Sequence, residues 1–148
     1  MRFQGKVAVV TGAAAGIGRH VTEMLVAEGA QVCAVDIADI PYEMDAVQPY
    51  GLNVADSDAA AKFFEFLTKK YQNVDILVNN AGITRDAMTA KMTDEQWDLV
   101  LSVNLKGLFN LTRHIGPYME KQGRGSIINI SSVVAEFGNI GQANYAAT

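Results

Sequence analysis

The chain alternates two hydrophobic periods. Short runs rich in Val and Ile stand at 6–12 (KVAVVTG), 31–37 (QVCAVDI), 50–54 (YGLNV), 75–82 (DILVNNAG) and 125–132 (GSIINISS). Their near-continuous apolarity predicts strands buried on both faces. Between the runs the apolar positions take helical spacing. In GIGRHVTEMLVAEG, Ile17, Val21, Met24, Leu25 and Glu28 fall on that spacing, with Gly29 as the C-terminal stop. In SDAAAKFFEFLTKKY, Ala60, Phe63, Phe64, Leu67 and Tyr71 form one stripe, and Ser57 is a candidate cap. A longer helix starts at Thr93, where Thr93 and Gln96 have capping-box spacing. Its apolar face runs Trp97, Val100, Leu101, Leu105, Leu108, and Gly116-Pro117 is expected to bend or end it. Strand, helix, strand in succession predicts an α/β fold: a Rossmann-type, doubly wound parallel sheet with helices on both faces. The exception is IADIPYEMDAVQPY after Asp36, where two prolines and scattered acids predict a surface loop with a short helix or none.

Composition narrows the class without changing this picture. At 148 residues, 49% hydrophobic and 19% charged, the chain reads as a single soluble globular domain. A net charge of −4 argues against nucleic acid or an anionic membrane as the main partner. The single cysteine, Cys33, has no internal disulfide partner and sits in a strand pattern, which predicts a buried, inert thiol and a reducing compartment. The start lacks the apolar run of a signal peptide, and no stretch reaches the ~18 residues of a membrane span. A cytoplasmic protein is expected.

Chemistry enters at VVTGAAAGIGRH. Gly12, Gly16 and Gly18 lie between a predicted strand and a predicted helix, where small residues let backbone approach a pyrophosphate and the helix N-terminus offers N–H groups and partial positive charge. Asp36 ends the second strand near the offset at which an acid meets a ribose 2′-hydroxyl. A Walker loop is excluded, because Arg19-His20 follow Gly18. Asn79 and Asn80 stand at the C-terminal end of a strand, where open parallel sheets place ligands; Asn79 reads as a loop tie and Asn80 as a ligand contact. Asn104 falls on the buried stripe of its helix, where an unpaired amide costs about 1–3 kcal/mol, so it needs a partner.

The spacing in TGAAAGIG, with NNAG at 79–82, Asn104 in SVNLKG, and the SS and Y of INISSVVAEFGNIGQANY, resembles the short-chain dehydrogenase/reductase family. GLNVAD, NNAGITRDAM and GNIGQANYAA are most similar to the bacterial 3-oxoacyl-[acyl-carrier-protein] reductases. The resemblance implies a nicotinamide cofactor held by Gly12, Ala15, Gly16, Ile17, Gly18 and Asp36, with Asn53 and Val54 at the adenine and Asn80 near the nicotinamide-side ribose. It implies Ser132, thirteen residues before Tyr145, as donor to a substrate carbonyl, Tyr145 as acid/base beside the cofactor, and Asn104 as holder of a relay water. The alternative for Asn104 is satisfaction by neighbouring backbone. Strand alternation separates Ser131 from Ser132, and the family spacing selects Ser132. No metal is implied. Asp36, with Ala15 where NADP-using relatives often carry a basic residue, points to NAD(H) over NADP(H).

The family motif continues Tyr-x-x-x-Lys, and that lysine would be position 149. A phenol ordinarily titrates near pH ~10, so a cation that stabilises phenolate matters to a tyrosine base. The expectation is therefore an N-terminal portion lacking C-terminal strands and helices, with an exposed last strand prone to pairing. The substrate implied is a small-molecule or carrier-bound acyl group, and the complete protein is expected to be a dimer or tetramer. Two other readings are a dehydrogenase of another secondary alcohol and an inert nucleotide-binding module.

Overall fold

The computed structural model describes residues 1–148. Five strands, β1 (Val7–Thr11), β2 (Gln31–Asp36), β3 (Val47–Gly51), β4 (Ile76–Asn79) and β5 (Ser126–Asn129), form one all-parallel sheet in the order β3-β2-β1-β4-β5. The expected α/β architecture is present. Helix α1 (Gly16–Ala27) links β1 to β2, α2 (Ser57–Lys70) links β3 to β4, and α3 (Asp94–Leu101) and α4 (Gly107–Lys121) precede β5. Short helices α5 (Val133–Phe137) and α6 (Ala143–Ala146) follow it.

Period-two alternation decides which face each strand residue serves. Ala8, Val10, Val32, Ala34, Ile76 and Val78 pack under α1 with Leu25. Val7, Val9, Cys33, Val35 and Leu77 pack on the other face with Ala60, Phe63 and Leu67 of α2 and Leu111, Ile115 and Met119 of α4. Fully burying each large apolar side chain contributes about 1.5–3 kcal/mol, so this two-sided core fixes the strand register. Cys33 is buried as expected, and burial pushes its thiol up to about 12.

Several boundaries differ from the sequence reading. The third strand is Val47–Gly51, three residues earlier than expected, because β3 is a sheet edge and accommodates Pro49, which has no N–H to donate. The last strand ends at Asn129, three residues early. Asp56, not Ser57, caps α2: its Oδ1 accepts from the Asp58 and Ala59 N–H groups at 2.9 Å. The Ser57 hydroxyl instead donates to Asn110 Oδ1 at 3.1 Å. The Thr93/Gln96 capping box is present. Pro117 lies inside α4, which runs on to Lys121. One wide turn, Ser102–Lys106, with π-helical bonding separates α3 from α4. Its extra residue shifts the phase of the helical stripe, so Leu105 points outward at 47% exposure, and Trp97 is also partly exposed. Residues 37–46 hold no helix, as expected.

Candidate active site

All functional candidates gather at the C-terminal edge of the sheet, the end where parallel α/β folds bind ligands. The turn after β1 is built for close approach. Gly12 has φ +66°, and a Cβ there would meet Asn80 Nδ2 at 2.8 Å. A Cβ on Gly18 would come within 2.1 Å of the Gly12 carbonyl oxygen, so α1 can lie against its own turn only with glycine at that position. The start of α1 has no side-chain cap and no acid in its first turn. Its first N–H groups and positive dipole end are left for an anion.

Asp36 is aimed by two backbone donors: the Ala14 N–H to Oδ2 at 2.9 Å and the Ala38 N–H to Oδ1 at 3.0 Å. Beside it opens a cavity of about 610 Å³, whose wall includes Gly12, Ala15, Gly16, Ile17, Asp36, Asn53, Val54 and Asn80. The sequence-predicted cofactor residues are therefore brought together, with two exceptions. Gly18 packs behind the wall, and Tyr145 lines a neighbouring cavity.

That second cavity, about 520 Å³, includes Ser132, Tyr145, Asn104 and Thr148, and shares Ile17, Asn80, Ala81, Gly82 and Ile83 with the first. Both volumes suit small-molecule sites. The Ser132 oxygen accepts from the Val134 N–H at 3.2 Å as cap of α5, which leaves its own proton without a partner in the chain. The Tyr145 hydroxyl also makes no hydrogen bond within the chain. Ser131 reaches the same cavity wall, because both serines lie beyond the end of β5 and strand alternation no longer separates them.

Asn104 sits in the wide turn. Its Oδ1 accepts from the Ile83 N–H at 2.8 Å, and its Nδ2 donates to the Ile83 carbonyl at 3.1 Å and to Thr148 Oγ1 at 3.2 Å. The partner it requires is thus largely backbone. Asn80 donates to the carbonyls of Thr11 at 2.9 Å and Gly12 at 3.3 Å. Asn79 donates to Thr112 Oγ1 and Asn129 Oδ1, tying β4 to α4 and β5.

Four supporting residues carried no signal strong enough to single them out in the sequence. Buried Thr11 accepts the N–H groups of Asn80 and Ala81, both at 2.9 Å, and so fixes the strand end between the cavities. Buried Asn110 donates to the Val54 carbonyl at 2.9 Å. Fully buried Asn144 donates to the carbonyls of Arg85 and Gln96, anchoring the Tyr145 helix to two other segments. At the opposite end of the sheet, Asp75 binds Lys6 Nζ at 3.0 Å, Arg124 Nε at 2.9 Å and the Val7 N–H at 3.1 Å. Burial alone pushes the Asp75 carboxyl up, but the Val7 N–H, Lys6 and Arg124 outweigh it and hold the group below its ordinary range.

Comparison with known proteins agrees with this geometry. The family model for short chain dehydrogenase matches residues 6–148. The 3-oxoacyl-[acyl-carrier-protein] reductase FabG of Thermotoga maritima is 50% identical, over 100% of this chain and 64% of the relative. The proteins of that name from Escherichia coli and Staphylococcus aureus are each 43% identical, over 99% and 97% of this chain and 63% and 62% of their own lengths. The chain thus spans a little under two thirds of the curated relatives it matches. With the glycine turn, the asparagine-bearing strand end and the Ser/Tyr cavity in the matched span, the chain belongs to the short-chain dehydrogenase family.

Proposed function

We propose that this chain is the dinucleotide-binding and catalytic portion of a nicotinamide-dependent oxidoreductase that reduces 3-oxoacyl thioesters, with NAD(H) preferred over NADP(H). The observation that carries the reading is two hydroxyls, Ser132 and Tyr145, with unpartnered protons in a cavity that shares Ile17, Asn80, Ala81, Gly82 and Ile83 with the one that Asp36 and the glycine turn line. The uncapped start of α1 suits a pyrophosphate. Asp36, which accepts only two backbone N–H groups, suits a ribose diol and repels a 2′-phosphate. The names of the relatives support the acyl thioester substrate, while the acid at 36 supports NADH as the reductant.

The bound nicotinamide would supply hydride to the carbonyl carbon. Ser132 donates a hydrogen bond to the carbonyl oxygen and holds it toward Tyr145. As negative charge builds on that oxygen, Tyr145 gives up its phenolic proton to it, and a hydroxyl results. Asn104 keeps the Ile83 segment beyond β4 in place through its paired bonds, so the wall common to the two cavities stays fixed. Through that position it would also support the relay that reprotonates Tyr145.

The β5 edge, with Ile127, Ile128 and Ile130 partly exposed, supports a homo-oligomer or pairing with a further strand. No helix is long and apolar enough to cross a membrane. The test is acetoacetyl-thioester reduction by NADH, measured on the chain extended with the remaining third of the Thermotoga maritima relative. Turnover is expected, and Tyr145→Phe should lower it about a hundredfold or more. A Tyr145→Phe variant with full turnover would remove the mechanism.

A further inference from the structure

The segment between Asp36 and β3 has no regular structure, yet it is tied down along its length. The Ala38 N–H donates to Asp36, Ile40 packs against the core on the α1 face, and the Val47 N–H donates to the Met44 carbonyl at 2.8 Å. The tie of greatest consequence is Tyr42, whose hydroxyl donates to the Ala13 carbonyl at 2.9 Å across 29 positions of sequence. The Arg19 guanidinium lies over the Tyr42 ring, 5.0 Å from its centroid, and is itself held by Glu23 at 2.8 Å. A cation over an aromatic face adds attraction that keeps the ring in place. Burial pushes the Tyr42 phenol above its ordinary range, with the Thr22 hydroxyl and then Arg19 opposing, so it is a donor at neutral pH.

Ala13 is fully buried, and its peptide neighbours are committed. Its N–H donates to the Val35 carbonyl at 3.1 Å, its carbonyl accepts from Tyr42, and the next N–H, that of Ala14, goes to Asp36. The three residues after this pinned pair, Ala15, Gly16 and Ile17, form the cavity wall at the start of α1. Tyr42 lines neither cavity, so any influence on a ligand passes through the Ala13 carbonyl.

We propose that Tyr42 is a positioning residue for a nucleoside diphosphate: by fixing the Ala13 peptide it sets where the Ala15–Ile17 backbone presents its N–H groups to the pyrophosphate. This rests on the reading of the cavity as a dinucleotide site. Removing the hydroxyl leaves the Ala13–Ala14 peptide held from one side only, by the Ala14 N–H bond to Asp36, and the turn is less firmly fixed while the ring and its Arg19 contact remain. The bond exists before any ligand arrives, so its worth of about 0.5–1.5 kcal/mol belongs to the fold and sets a ceiling of about twelvefold on the affinity lost in re-ordering the turn.

The experiment is calorimetric titration of the 148-residue chain and of Tyr42→Phe with NADH, ADP and adenosine, alongside thermal melting. The expected result is a loss of about two- to twelvefold for NADH and ADP alike, unchanged adenosine affinity, and a melting midpoint no more than about 6 °C below the parent, the fall that one lost hydrogen bond accounts for. Equal NADH and ADP affinity in parent and variant would overturn the assignment. So would a parallel loss for adenosine accompanied by a lower midpoint, because that pattern marks Tyr42 as a general anchor of the segment. Absence of NADH and ADP binding by the parent would overturn the dinucleotide reading, and this assignment with it.

Discussion

Strands β1 and β5 belong to one sheet and lead into the two halves of the candidate site, but they are packed in opposite ways. Every residue of β1 is buried, between α1 on one face and α2 with α4 on the other. Every residue of β5 is exposed to some degree, and Ile128, which pairs with buried Val78, keeps 42% of its surface open. The half proposed for the dinucleotide thus stands on a finished core, and the Ser132/Tyr145 half stands on a sheet edge. Nucleotide binding should therefore be robust to perturbations that disturb the Ser/Tyr half.

Mutations sharpen that contrast. The largest effect is expected at Phe63, fully buried between α2 and the sheet: Phe63→Ala should destabilise by about 3–5 kcal/mol in denaturant unfolding. Asp75→Asn breaks the cluster that joins β1, β4 and the entry to β5, and should lose about 2 kcal/mol at pH 7, tempered by the half-exposed Lys6 and Arg124. Because the folded carboxyl lies below its unfolded value, this stabilisation is present above that value, about 3.9, and is lost as pH falls through the folded pKa. The gap between parent and variant should hold from pH ~7 to ~5 and close under stronger acid, as read from unfolding curves across that range.

Gly18→Ala attacks the close approach of α1 to its own turn and should cost about 1–3 kcal/mol, with a clear fall in NADH affinity on calorimetric titration. The smallest effect belongs to the open edge. Ile128→Ala should change stability by less than about 1 kcal/mol and leave NADH affinity unaltered. A large loss at Ile128 would mean that the edge is covered in solution, which light scattering would report as association.

Much of this arrangement was legible in the sequence because it is local. The first two Val-rich runs, the glycine spacing, Asp36 at the end of β2 and the Thr93 capping box each depend on residues close in the chain, and each stands where the pattern placed it. The misses are long-range. Pro49 hid the first residues of β3, which can hold a proline only because β3 is a sheet edge. The wide turn at Ser102–Lys106 broke a stripe that read as continuous, and the inward set Leu111, Ile115, Met119 became visible only with that change of phase. Asn144, Asn110, Thr11 and Asp75 look like ordinary polar residues until their partners, dozens of positions away, are brought alongside. Asn104 was correctly marked as needing a partner, but no sequence pattern could name Ile83.

The central claim, that the cavity from the glycine turn to Asp36 holds a nicotinamide dinucleotide with a free ribose 2′-hydroxyl, is tested most directly by calorimetric titration of this chain with NADH and NADPH side by side. NADH is predicted to bind more tightly by about tenfold or more, since a 2′-phosphate placed against Asp36 meets like charge. Equal or tighter binding of NADPH would contradict the assignment of Asp36, and binding of neither would contradict the site.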